Sequence, residues 1–362
     1  SRPPIARART RATSSSAAAN GAPRASRAPV PAGGLALRPA RGNDGRFSGD
    51  WERGMAAGHS GIWRDELSGR FPPPPSYAEE FELQWKLALD GRSDYYDHKG
   101  VSLDERHIAD RVYEWTGRHP GPGGPSPGVA PLDRPVDPAL VRGRDCIDVG
   151  CGMGRWTRVM QALGARSVLS VDLSESALAS VARFNPDVLR ADIMTLPEAH
   201  PELAGRFDFA NFWGVGMLTH DPRQAFLSAA STVRPGGAMF LMVYSPEGMG
   251  CLPEGVRKRR KFHALASVED KLAYVDHVHA RRWESDAPLA ENLRNLARNL
   301  LGRPRQPKIG LLDMLEPYYT WGISLDVIDG WMAAAGFERW QLLNESTGWK
   351  GSYEVLGHKG AA

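Results

Sequence analysis

"CIDVGCGMGRW", Cys146–Trp156, places three glycines at alternate positions, Gly150, Gly152 and Gly154. An apolar run precedes them and a helix-like segment follows. Glycine loses more conformational freedom on folding than any other residue, so three within five residues need a cause. A tight turn from a strand into a helix supplies one. Gly150 lets the chain bend, Gly152 lets a ligand touch the backbone, and Gly154 lets helix and strand pack closely. The N–H groups that open the helix then favour a polar or anionic ligand.

Working outward, strands and helices alternate. "DCIDVG" reads as a buried strand and "RWTRVMQALG" as a helix closed by Gly164. "SVLSVDLS" (167–174), "VLRADI" (188–193), "FDFANFWG" (207–214) and "AMFLMVYS" (238–245) read as further strands, with "ESALASVARF" and "PRQAFLSAASTV" as helices between them. Such alternation predicts right-handed crossovers and an α/β, doubly wound parallel sheet. Near the end, "LDVIDGWMAAAG" is a helix, and "FERWQLLN" and "SYEVLGHK" are strands joined too closely for a crossover, hence antiparallel. Asp172 ends the second strand, where a carboxylate can accept both hydroxyls of a ribose. Asp192 stands at the rim of the third, where an adenine amino group could be read. The first loop is G-x-G-x-G rather than the G-x-G-x-x-G of nicotinamide proteins, with Asp148 two residues before it.

The chain has 362 residues, 42% of them hydrophobic, and a formal net charge of +3. That suits a globular protein and gives no global charge toward nucleic acid. No apolar run of about 18 residues predicts a membrane span. Cys146, Cys151 and Cys251 show no paired spacing, so neither a disulfide scaffold nor a metal site is expected. Ser1–Asn43 hold eight arginines and no acid. Residues 1–75 therefore read as a disordered, low-complexity extension. The extension is either an organellar transit segment or a plain tail, which makes the protein organellar (chloroplast or mitochondrion) or cytoplasmic. Residues 76–143 hold two helices and a Pro/Gly loop. The first helix is capped by Ser76 with Glu79 and ends at Gly91. The second runs from Ser102 to Thr116, with Leu103, His107, Ile108, Val112 and Trp115 on one face. Residues 144–245 form the core. Residues 246–324 are a mostly helical insertion at the C-terminal edge of the sheet, a cap or lid, and residues 325–362 complete the core.

"DVGCGMG", "SVDLS", "ADIMTLP", "FDFANFWGVG" and "VRPGGAMFLMVYS" together resemble the successive motifs of class I, Rossmann-like S-adenosylmethionine-dependent methyltransferases of the small-molecule type. The resemblance is strong over 144–245 and weaker over 309–359. It implies a seven-stranded sheet of order 3-2-1-4-5-7-6, the last strand antiparallel, and S-adenosylmethionine as cofactor with S-adenosylhomocysteine as product. Carried over by position, Asp148 orients the methionine end and the backbone of Gly150, Cys151 and Gly152 lines it, with Gly154 closing the turn. Asp172 binds the ribose, Leu173 packs on the adenine, Asp192 and Ile193 meet its edge, and Asn211 and Phe212 floor the methionine end. "FDFANFWGVGMLTHDPRQAF" is similar to small-molecule enzymes carrying a "GVLHHTPDP"-like segment. Their paired histidines fall here on Met217 and Leu218, with His220 two positions later.

Methyl transfer needs positioned reactants and excluded water, and a hydroxyl acceptor also benefits from a general base. His220 is the candidate base. Tyr244, Tyr318, Tyr319 and Trp321 are candidate substrate contacts. The expected partner is a small-molecule acceptor, methylated at oxygen. Two readings stand beside it: a degenerate methyltransferase-like scaffold, and an RNA methyltransferase using "RKRRK" (257–261) on phosphates. "NFWG" stands where an N-P-P-F-like tetrapeptide would mark methylation of base amino groups.

Overall fold

The computed structural model describes residues 38–39, 82–87, 103–248, 251–345 and 351–361. The rest of the expected N-terminal extension lies outside the described residues. So do Ser76, Glu79, Gly91 and Ser102, named above as helix ends. Residues 82–87 are helical. The next helix, α1 (Glu105–Thr116), is capped by Asp104, whose side chain accepts from the His107 N–H.

Seven strands form one sheet. β1 is Asp145–Val149, β2 Ser167–Asp172, β3 Val188–Arg190, β4 Phe207–Trp213, β5 Val233–Tyr244, β6 Phe337–Leu342 and β7 Ser352–Lys359. Their order is β3-β2-β1-β4-β5-β7-β6, and Arg38–Pro39 adds a short antiparallel pairing outside β6. β7 runs antiparallel to both neighbours, and the other pairings within β1–β5 are parallel. The central strands read as unbroken apolar runs because both sheet faces are covered. Crossovers α2 (Arg155–Ala162), α3 (Glu175–Val181) and α4 (Pro222–Ser231) link them.

Strand ends shift by one or two residues from the sequence reading at β1, β2, β4 and β6, and by more at β3 and β5. β3 stops at Arg190, because Asp192 accepts the Met194 N–H and starts a turn of 3-10 helix over Ile193–Thr195. β5 starts earlier, at Val233, and its pairing shifts from Phe207↔Val233 to Phe209↔Ala238 around the Arg-Pro-Gly-Gly stretch.

Alternation along β1 sends its side chains to two cores. Ile147 and Val149 join Phe212, Phe226, Ile328 and Trp331; Cys146 joins Phe209, Phe240, α1 and α2. Trp115 of α1 stacks on Trp156 of α2 at 4.7 Å between centroids and meets Phe240 edge-on. After β5 come the cap helices α5 (Pro253–His263), α6 (Val268–His279), α7 (Leu289–Leu300) and α8 (Lys308–Leu315), then α9 (Leu325–Ala334). The cap has its own apolar cluster, in which Phe262, Tyr274, Val275, Leu311, Leu312 and Leu315 pack with Leu87.

The glycine turn is forced at two points. Gly150 has φ +73°, and a Cβ there would stand 2.2 Å from Val215 Cγ2. Gly154 has φ +88°, and a Cβ would stand 2.6 Å from the Phe184 ring and 2.9 Å from Val181 Cγ2. Gly143, at φ +69°, has nothing within 4 Å. Gly143→Ala is therefore expected to lose about 1–2 kcal/mol, the left-handed backbone cost alone. Gly154→Ala adds about 1–3 kcal/mol of overpacking. Denaturant titration of both variants checks the ordering, and equal losses would refute the packing role of Gly154.

Candidate active site

The glycine turn opens into a cavity of about 320 Å³ at the C-terminal ends of β1, β2 and β4. One side is the turn itself, with Asp172, Leu173, Ala191, Asp192 and Ile193. Facing it are Gln84 and Trp85 of residues 82–87 and Ile309, Gly310 and Asp313 of α8. Trp156, Trp213, Val215 and Leu218 complete the wall.

Asp172 is held by backbone donors. Gly152 N–H donates to Oδ2 at 2.8 Å and Ser174 N–H to Oδ1 at 2.9 Å. Burial nevertheless raises its pKa, and the nearby Glu82 charge adds to that, while the N–H bonds oppose it. Glu82 accepts from the Ser174 hydroxyl at 2.6 Å and from the Ser176 hydroxyl. This anchors the 82–87 helix above the turn, where Trp85 lies 3.2 Å from the position a Gly152 Cβ would take. A carboxylate at the cavity wall, a turn with no side chain at Gly152, and the Asp192–Ile193 rim fit a ribose and an adenine. Gln84 Oε1 has no partner among the described residues, leaving one acceptor in the wall for a donor.

Asp148 is fully buried beneath the turn and does not line the cavity. The Thr157 hydroxyl donates to its Oδ2 at 2.7 Å and Asn211 Nδ2 to its Oδ1 at 2.7 Å. Burial pushes the Asp148 carboxyl up to about 6. Asn211 and Phe212 are likewise buried floor, and Gly154 packs on α3 and Phe184. The structure thus brings Gly150, Cys151, Gly152, Asp172, Leu173, Asp192 and Ile193 together around the cavity, with Asp148, Asn211, Phe212 and Gly154 behind them.

The expected acceptor-side residues stand elsewhere. His220 is exposed and faces Tyr319 at 6.4 Å between ring centroids, away from the cavity wall. Tyr318 and Trp321 are buried, and the Trp321 indole donates to Thr219 O at 2.7 Å. Tyr244 reaches the cavity through its hydrogen bond to Asp313.

Asp313 is the group that sequence reasoning missed. Its side chain is open to the cavity, while protein on the remaining sides desolvates it and raises its pKa. The Arg155 charge and hydrogen bonds from Gln84 and Tyr244 oppose that rise. Arg155 lies over the Trp213 ring at 4.5 Å and the Trp156 ring at 5.2 Å, and burial lowers its pKa to about 10. The available signal was a lone carboxylate inside the apolar helix "KIGLLDML".

A family model described as a methyltransferase domain matches residues 130–342. The chain is 29% identical over 155 residues to a ubiquinone biosynthesis O-methyltransferase of Marinobacter nauticus, covering 37% of this chain and 63% of that protein. It is 32% identical over 116 residues to a tRNA U34 carboxymethyltransferase of Pseudoalteromonas translucida, covering 30% and 34%. The chain thus spans less than two thirds of the length of either relative. The structure of Burkholderia thailandensis 1,6-didemethyltoxoflavin-N1-methyltransferase with bound 1,6-didemethyltoxoflavin and S-adenosylhomocysteine aligns over 80% of this chain and 93% of that one. Its identity is 16% and its TM-score 0.38.

The buried Asp148 generates a pH dependence. Its carboxyl titrates near 6 in the folded chain against 3.8 when free, so between these values the folded state holds the extra proton. Stability then falls as pH rises through the window, by roughly 2–3 kcal/mol in total, and the loss persists above it. Asp148→Asn keeps an acceptor for Asn211 and offers a donor to Thr157, which can turn its own proton to Ser170. The variant is expected to lose this slope and gain stability above pH 6. Urea titrations from pH 4 to 8 test it, and a profile parallel to the parent's would contradict the assignment.

Proposed function

The chain belongs to the methyltransferase-domain family, and from that premise we propose that it uses S-adenosylmethionine to methylate a hydroxyl of a small molecule held between the glycine turn and α8. The observation that carries this reading is Asp313: a carboxyl of raised pKa on the cavity wall, across from the turn. The cofactor, when bound, supplies an electrophilic methyl group, so the chain has to hold, orient and dry the reactants. The Gly150–Gly152 backbone takes the methionine end and Asp172 the ribose hydroxyls. Leu173 and Ile193 flank the adenine and Asp192 meets its edge. Asp148 and Asn211 tie β1 to β4 from beneath and so fix the turn. Trp85, Trp156 and Trp213 exclude water.

Asp313 accepts the acceptor's hydroxyl proton at a carboxylate oxygen. Its raised pKa makes it a stronger base than an ordinary carboxylate. The Tyr244 hydroxyl and the Gln84 amide hold its orientation. His220, exposed and outside the cavity, is not assigned this role.

The basic run supports a small acceptor over RNA. Arg257 pairs with Glu284, Asp286 and Glu291, Lys258 with Glu254 and Glu291, and Lys261 with Asp286. Arg259 is buried against Thr320. Four of the run's five charges are thus engaged inside the cap rather than laid out along a phosphate track. An open cavity beneath Trp85, rather than one filled by Trp156 or Trp213, favours an enzyme over a scaffold.

Calorimetry with S-adenosylhomocysteine tests the cofactor side. Asp172→Ala is expected to weaken binding by about 1–3 kcal/mol. No heat at near-millimolar ligand would end the reading. On the acceptor side, methyl-labelled cofactor is offered to a set of phenols, other hydroxyl-bearing small molecules and bulk tRNA. Asp313→Asn is expected to cut transfer about 10²–10⁴-fold with cofactor affinity kept, and to remove the rise of rate with pH. Label found only in ribonuclease-sensitive material would overturn the proposal.

A further inference from the structure

α7 is packed with its polar side inward. Leu289, Leu293, Leu296 and Leu300 follow at spacings of four, three and four, so they share one helix face. They are 62%, 50%, 49% and 79% exposed, and Leu301 and Trp283 extend the same exposed set. The opposite face is asparagine and glutamate, and it is this face that is buried. Asn292 Nδ2 donates to Glu284 O at 2.8 Å while its Oδ1 accepts the Glu284 N–H at 3.0 Å. Asn299 donates to Ala280 O at 3.1 Å, and Glu291 meets Arg257 and Lys258. None of the α7 leucines joins the cap's apolar cluster. A surface helix of a soluble domain buries its apolar stripe, so this one has its stripe left for something else.

The charges around the stripe say what fits. Arg298, Arg303 and Arg305 are exposed beyond or near its C-terminal end. Arg281 joins them by donating to the carbonyls of Arg303 and Pro304. Among the described residues none of these four forms an ion pair with a carboxylate. The nearby acids are taken: Glu254 by Lys258 and Arg294, Glu291 by Arg257 and Lys258, Asp286 by Arg257 and Lys261. A second copy laid antiparallel on α7 would bring its arginine end to a leucine end whose acids are already paired. It therefore finds no complementary charge. An amphipathic helix with leucines on one side and unpaired arginines at the rim matches an anionic bilayer on both counts.

We propose that α7 docks the protein on an anionic lipid surface, its leucines at the acyl boundary and Arg281, Arg298, Arg303 and Arg305 at the lipid phosphates. The inference is independent of the acceptor assigned above. It places the bilayer one short connection, residues 301–307, from the α8 wall of the cavity.

Co-sedimentation of the full 362-residue chain tests it, with vesicles of phosphatidylcholine alone and of phosphatidylcholine with phosphatidylglycerol. The parent chain is expected to partition onto the anionic vesicles. A Leu293→Ser, Leu296→Ser double variant is expected to lose about tenfold in partitioning, and an Arg298→Ala, Arg303→Ala variant a similar factor. The arginines of Ser1–Asn43 are present in every variant, so the differences report α7. Unchanged S-adenosylhomocysteine binding shows that each variant is folded. Leucine variants that pellet like the parent would overturn the proposal. So would a parent dimer in light scattering that the leucine variant breaks while neither protein pellets, since the face would then belong to a second copy.

Discussion

The carboxylate of Asp172 is the junction on which the site depends. It accepts one N–H from the turn after β1 and one from the turn after β2. Through Ser174, whose hydroxyl donates to Glu82, it also connects to the 82–87 helix. Three segments distant in sequence thus meet at one side chain. Burial works against the charge, and the backbone donors offset that cost, which is why the geometry of both turns matters so much. The glycines follow from the same requirement. A side chain at Gly152 would push Trp85 away, and a Cβ at Gly150 would displace Val215 from the wall.

A second continuity runs from the core to the cavity. Trp115 stacks on Trp156, Trp156 lies 5.4 Å from Trp213, and Arg155 covers both of the latter rings. Aromatic packing of this kind fixes ring planes more tightly than aliphatic packing does. The wall near Asp313 is therefore continuous with the core packing beneath it. A guanidinium laid on indole faces keeps its charge while shedding water, which suits a cavity that must be dry.

The sheet and the gathering of the glycine turn, Asp172 and Asp192 around one cavity were legible because each rests on local sequence. Strand and helix periods fix the alternation, and the glycine spacing and Asp172 each mark a turn at the end of a strand. The opposite wall was not, because it depends on how residues 246–324 fold back. His220 stood out as the histidine nearest the end of β4, yet the chain from Gly216 to Thr219 buries Met217 and Leu218 and turns His220 outward. Asp313 gave only a single acid in an apolar helix, and nothing local shows that α8 returns to face the glycine turn. "RKRRK" read as a free basic run because its partners, Glu284 to Glu291, lie a helix and a turn further along. Periodicity identifies the leucine face of α7 but does not say which face is buried.

The two sides of the cavity rest on different packing. Residues 82–87 and α8 share an apolar cluster through Leu87, Leu311, Leu312 and Leu315. Gln84 and Asp313 are therefore placed by the same packing, and a hydrogen bond joins them. The glycine-turn side rests instead on β1, β2 and β4, with Asp148, Thr157 and Asn211 bonded beneath the floor. Replacing a side chain at Gln84, Ile309 or Asp313 alters the facing wall without touching a hydrogen bond of that floor. The two sides meet at Trp85 on Gly152 and at Glu82 on Ser174, and again at Asp313, which takes the Tyr244 hydrogen bond and the Arg155 charge.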